Sequence, residues 1–127
     1  MKKTTREWVA KAEADCRCVA RLVGADPPLH DIVCFHCQQS AEKYLKAILE
    51  ELGEPIPKTH DLERLLTQLR PHHAPLKSLR RGLLFLTEFA VDSRYPGDTT
   101  NKRKAAAAMR WTERVRAACR AILGLPA

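Results

Sequence analysis

His30-Asp31-Ile32-Val33-Cys34-Phe35-His36-Cys37-Gln38-Gln39-Ser40-Ala41-Glu42-Lys43-Tyr44-Leu45-Lys46-Ala47-Ile48-Leu49-Glu50-Glu51-Leu52 reads as one long helix. Cys34, Cys37, Ala41, Tyr44, Leu45, Ile48 and Leu52 recur at the steps that place side chains on one face of a helix. Gly53 is its stop, and Glu54-Pro55-Ile56-Pro57 is a stiff connector. Upstream, Asp26-Pro27-Pro28 closes a first helix running from about Thr4 to Val23, whose stripe is Trp8, Ala12, Cys16, Val19 and Val23.

The same periodicity continues downstream. Thr59 is the expected N-cap of a short third helix with Leu62, Leu65, Leu66 and Leu69 on its apolar side, closed by Pro71. A fourth helix starts around Ala74-Pro75, carries Leu76, Leu79, Leu83, Leu86 and Ala90, widened by Leu84, Phe85 and Phe89, and ends before Tyr95-Pro96-Gly97. The last, from about Thr100 to Leu123, presents Ala105, Ala108, Thr112, Val115, Cys119 and Ile122. No segment alternates as a strand does. Four long helices and one short one, joined by brief connections, predict an all-α, up-and-down antiparallel helical bundle over a single domain, residues 1–127.

Composition narrows the function classes. No apolar run approaches the ~20 residues needed to span a bilayer, and the opening residues carry no signal-peptide pattern, so a cytoplasmic location is expected. The net charge of +7 is unevenly placed: residues 80–127 hold ten Lys/Arg against four Asp/Glu. That excess suits an anionic partner, though in a basic domain it is more often a solubilising face. Five cysteines without a secretory signal argue against disulfides. Cys34 and Cys37, with His36 and His30 nearby, raise zinc, but i, i+3 on a helix is not the turn that zinc knuckles use. No metal and no cofactor are expected; the cysteines read as small buried side chains.

Gly-rich phosphate loops, His-Glu-x-x-His and Gly-x-Ser-x-Gly are all absent. More specific is the order Phe35…Gln38-Gln39…Ala41-Glu42-Lys43…Leu45-Lys46, then Gly53, Lys58-Thr59-His60-Asp61-Leu62, and late in the chain Arg94-Tyr95-Pro96. This arrangement, with a tryptophan early in the first helix, resembles the small stand-alone prokaryotic HEPN proteins over essentially the whole chain. The resemblance implies an all-α bundle that pairs as a homodimer and partners a minimal nucleotidyltransferase. It also implies a toxin–antitoxin module with the HEPN member as ribonuclease, in a family named for proposed nucleotide binding. The sequence departs from the ribonuclease members in one respect: their Arg, four to six residues, then His near the start of the final helix is missing, and no histidine follows Arg94.

The motif residues have physical readings of their own. Gln39, Glu42, Lys43 and Lys46 lie at helical neighbour spacings, so their side chains can converge on a ligand. Glu42 and Lys46 at i, i+4 are alternatively an ion pair, exposed or buried against neighbouring helices. Lys58 and His60 flank Thr59 at the third helix's start, where backbone donors suit phosphate. Arg94 and Tyr95 can clamp a phosphate and stack on a base, or cap a helix end. Lys102, Arg103, Lys104, Arg110 and Arg114 can form a track for a nucleic-acid backbone. Three functions follow in order: a nucleotide- or RNA-binding module beside a nucleotidyltransferase, a metal-independent endoribonuclease using Arg94 with His60 or His36, and a non-catalytic dimeric scaffold.

Overall fold

A computed structural model of the chain describes residues 1–90, 96–97 and 99–127. Among these, all regular structure is helical: α1 (Lys3–Leu22), α2 (His30–Leu52), α3 (Leu62–Leu69), α4 (Arg80–Thr87) and α5 (Lys102–Ile122), with a 3₁₀ helix, Ala74–Leu79, leading into α4. The bundle expected from periodicity is present. Side-chain pairs give the directions. Thr5 meets Glu51, Cys16 meets Ser40 and Asp15 meets His36, so α2 runs back along α1. Thr112 meets the Cys37 carbonyl and Arg120 meets Tyr44, so α5 runs parallel to α2.

The helix α2 sits at the centre. Tyr44, Leu45, Ala47 and Leu49 on different sides of it are all fully buried, and α1, α3, α4 and α5 all pack on it. Each buried leucine here stabilises the fold by about 2 kcal/mol relative to exposure. At its end Gly53, at φ 72°, takes the left-handed cap conformation, its N–H bonding back to Glu50 and the Glu54 N–H to Leu49.

Several local expectations are corrected. Asp61, not Thr59, caps α3: its carboxylate accepts from the Glu63 and Arg64 amides, while the Thr59 hydroxyl accepts from the Asp61 amide one step earlier. The buried line of α1 is Thr5, Val9, Ala12 and Asp15; Val23 is exposed and Trp8 only partly covered. The stripe is rotated because two polar side chains turn inward to partners on α2. The fourth element begins as a 3₁₀ helix, in which the Ser78 hydroxyl bonds the Pro75 carbonyl, and its α segment is eight residues long. Leu84, expected on its apolar side, is exposed.

Candidate functional site

Three carboxylates organise the polar side chains around α2. Glu42 is the most buried. Its Oε2 accepts from Lys46 Nζ at 2.9 Å, and its Oε1 lies 2.7 Å from His60 Nδ1 and accepts from Gln38 Nε2 at 3.2 Å. Gln38 also donates to the His60 carbonyl, and Gln39 donates to Gln38 at 2.7 Å. Lys46 stands over the Trp8 ring at 5.8 Å. This chain of contacts ties α2 to the connector before α3 and to α1. Glu42–Lys46 is thus the buried ion pair, whereas the His60 side chain is 64% exposed.

Asp15 forms a second cluster between α1 and α2. Its Oδ1 lies 2.8 Å from His36 Nδ1, and its Oδ2 accepts from Lys43 Nζ at 2.7 Å. His36, Gln39, Lys43 and Lys46 follow one another at steps of three, four and three, so they form a single line along α2. His36 and His60 each engage a carboxylate through Nδ1, which fixes the ring orientation. The third cluster is Glu13, which accepts from Tyr44 at 2.6 Å, from Arg116 and from Arg120. It locks α1, α2 and α5 together.

On α5, Lys102, Arg103, Lys104, Arg110 and Arg114 are all exposed. No carboxylate of the described residues pairs with them. Arg103, Arg110 and Arg114, spaced seven and four apart, share one face over about 16 Å of helix. The Arg114 guanidinium lies 4.5 Å from the centre of the Trp111 ring. That ring rests against Gly82 of α4, where an added Cβ would fall 2.1 Å from a ring carbon.

The expected ligand residues therefore divide. Glu42, Lys46, Gln39 and His60 come together, Lys43 joins Asp15 and His36 instead, and Lys58 stays exposed. Two amides at the start of α3 are already taken by Asp61. Arg94 and Tyr95 lie outside the described residues. Sequence reasoning passed over Glu13 and Asp15 and took Gln38 and Ser40 only as part of the quoted stretch, without a site role. Gln38, Glu42 and Lys46, at i, i+4, i+8, were the available signal of a polar ladder inside a buried helix.

Burial alone would push the Glu42 and Glu13 carboxyls up. Hydrogen bonds outweigh it, from His60, Lys46 and Gln38 in one case and from Arg116 and Tyr44 in the other, and hold both below the usual carboxylate range. A lowered folded value contributes stability that is complete above the unfolded value, roughly 4.3, and is lost as pH falls through the folded one. Thermal melts are expected to hold steady from neutrality to about pH 5 and drop steeply below it. Glu42→Gln flattens that acid limb; an unchanged limb would separate Glu42 from the acid response.

In comparison with known proteins, the HEPN domain family model matches residues 5–122. No curated protein and no solved structure matches the chain.

Proposed function

The chain belongs to the HEPN domain family, and on that premise we propose that it is a cytoplasmic, homodimeric module that binds RNA or nucleotides through α5. The observation that carries this is the basic face of Arg103, Arg110 and Arg114, unpaired with any carboxylate of the described residues, with Lys102 and Lys104 beside it and Arg114 stacked on Trp111. Guanidiniums held out in one line neutralise successive phosphates, and the Arg114 guanidinium on the Trp111 ring adds a flat cationic surface on which an unstacked base can lie. The motif resemblance adds the setting: a partner minimal nucleotidyltransferase in a toxin–antitoxin type pair, testable by co-purification. Within α2, Lys43 and Lys46 already face carboxylates. We keep them, with Gln39, His60 and Lys58, as a proposed secondary contact for the ligand, and Arg94 and Tyr95 as proposed further contributors.

Fluorescence anisotropy with a labelled single-stranded 12-nucleotide RNA tests the reading. Saturable binding should weaken between about 50 and 200 mM salt with a log–log slope of roughly −2 to −3, from three or four phosphate contacts. Replacing Arg103, Arg110 and Arg114 with Gln removes about two units of that slope. No saturable binding at the lower salt rejects the proposal.

A second reading is favoured by the two carboxylate-oriented histidines: metal-independent RNA cleavage with His36 or His60 as the proton-transfer group. The same mixtures on a denaturing gel decide between them. Binding alone leaves the RNA intact; cleavage in the presence of chelator, lost in His36→Ala or His60→Ala, makes the chain a ribonuclease.

A further inference from the structure

A cleft of about 310 Å³ opens between the end of α1, the loop into α2 and the first two turns of α5. It belongs to none of the polar clusters above. Its walls are aliphatic: Leu22, Val33, Ala105 and Met109. Val33 and Ala105 are 3% exposed each, so the floor is part of the packed core. His30 and Lys102 stand in the lining as its polar groups. A second, shallower hollow shares Pro28, Leu29 and His30 with the first, so the two form a continuous trough. Val23 and Ile32, two of the exposed large apolar residues, flank it.

We propose that this trough is a binding site for a small single-chain aliphatic anion, its hydrocarbon tail lying along Leu22, Val33, Ala105 and Met109 and its headgroup at Lys102 and His30. Size, lining and charge each select that class. The volume lies at the lower end of small-ligand pockets, which are mostly apolar with few polar groups to orient the ligand. Among the described residues no aromatic or arginine plane lines either hollow, and those are the surfaces on which a nucleobase stacks. Methionine adapts to an irregular hydrocarbon shape. The ammonium of Lys102, on a flexible stem that itself covers apolar surface, complements a carboxylate or phosphate monoester. The carboxylate in the trough, Asp31, accepts from both the Thr100 amide and its hydroxyl, at 2.7 and 2.6 Å. That engagement turns Asp31 toward Thr100.

The site adjoins the RNA face at Lys102 but is distinct from its arginine line, since Arg103, Arg110 and Arg114 do not line it. Its test is a titration of the full ¹⁵N-labelled chain with sodium octanoate, followed by amide chemical shifts, with 1-octanol and AMP as comparators and octyl phosphate as a second headgroup. The expected result is saturable shifts confined to residues 22–33 and 102–109 below about 10 mM octanoate. Octanol should bind at least about tenfold more weakly, and Lys102→Ala should weaken octanoate about five- to tenfold. Met109→Trp, which fills the cleft, should abolish the shifts while the arginine variants leave them in place; Ala106→Phe serves if that protein does not fold. Linear, unsaturated shifts would overturn the proposal. So would octanol binding as tightly as octanoate, or AMP taking the same residues more tightly.

Discussion

Gly82→Ala is expected to lower stability by about 3 kcal/mol, despite the ~1 kcal/mol that alanine gains over glycine inside a helix. The added methyl would fall 2.1 and 2.2 Å from two carbons of the Trp111 ring and 2.8 Å from a third. These atoms sit at the base of the indole, so the clash cannot be relieved by a small swing of a flexible tip. Either the ring leaves its rotamer or α4 separates from α5. For a chain of this size such a loss corresponds to roughly 10 °C in Tm. A double-mutant cycle isolates the cause: in a Trp111→Ala background the Gly82→Ala step should cost close to nothing. Equal costs in both backgrounds would mean that the ring is not what Gly82 accommodates. Because Trp111 carries Arg114, the same substitution should also weaken RNA binding.

Removing the Glu42 carboxylate should be equally severe. Side chains of Glu42 and Lys46 are 5% and 9% exposed, so Glu42→Ala leaves an ammonium buried with its partner gone. It also leaves Gln38 and His60 without their shared acceptor. Breaking one side of a buried pair costs about 3–5 kcal/mol, more than the pair itself contributes. The double variant Glu42→Ala/Lys46→Met should therefore recover a large part of the loss, because an apolar side chain of similar length fills the space without a charge. Chemical denaturation of the three proteins measures this. A double variant less stable than Glu42→Ala alone would show that Lys46 contributes through Trp8 rather than through Glu42.

Much of the fold was legible in the sequence because helix periodicity and the breakers Gly53, Pro27, Pro28 and Pro71 are local signals. What was not legible depends on contacts between distant residues. The stripe of α1 was placed a fraction of a turn off, because Thr5 and Asp15 look like solvent-facing residues until Glu51, His36 and Lys43 are brought beside them. The role of Gly82 is set entirely by a tryptophan 29 positions later, which no local rule connects to it. The cap of α3 shifted by two residues because Thr59 and Asp61 are both competent, and backbone geometry decided between them. For the candidate site, the motif Gln38-Gln39…Glu42-Lys43…Lys46 marked the helix that holds the buried polar cluster. Its members largely satisfy one another, and the exposed cations lie on α5. A charged side chain inside a bundle first serves its own neighbours, and sequence spacing alone does not show which neighbours those are.

The most direct test is residue-level mapping of the RNA contact. Adding a single-stranded RNA to the ¹⁵N-labelled chain at low salt should move the amides from Arg103 to Arg114 most, together with the Trp111 indole N–H. Those movements should fade as salt rises. Shifts centred on α2 and His60 with α5 unmoved, or no shifts at all, would contradict binding through the basic face of α5.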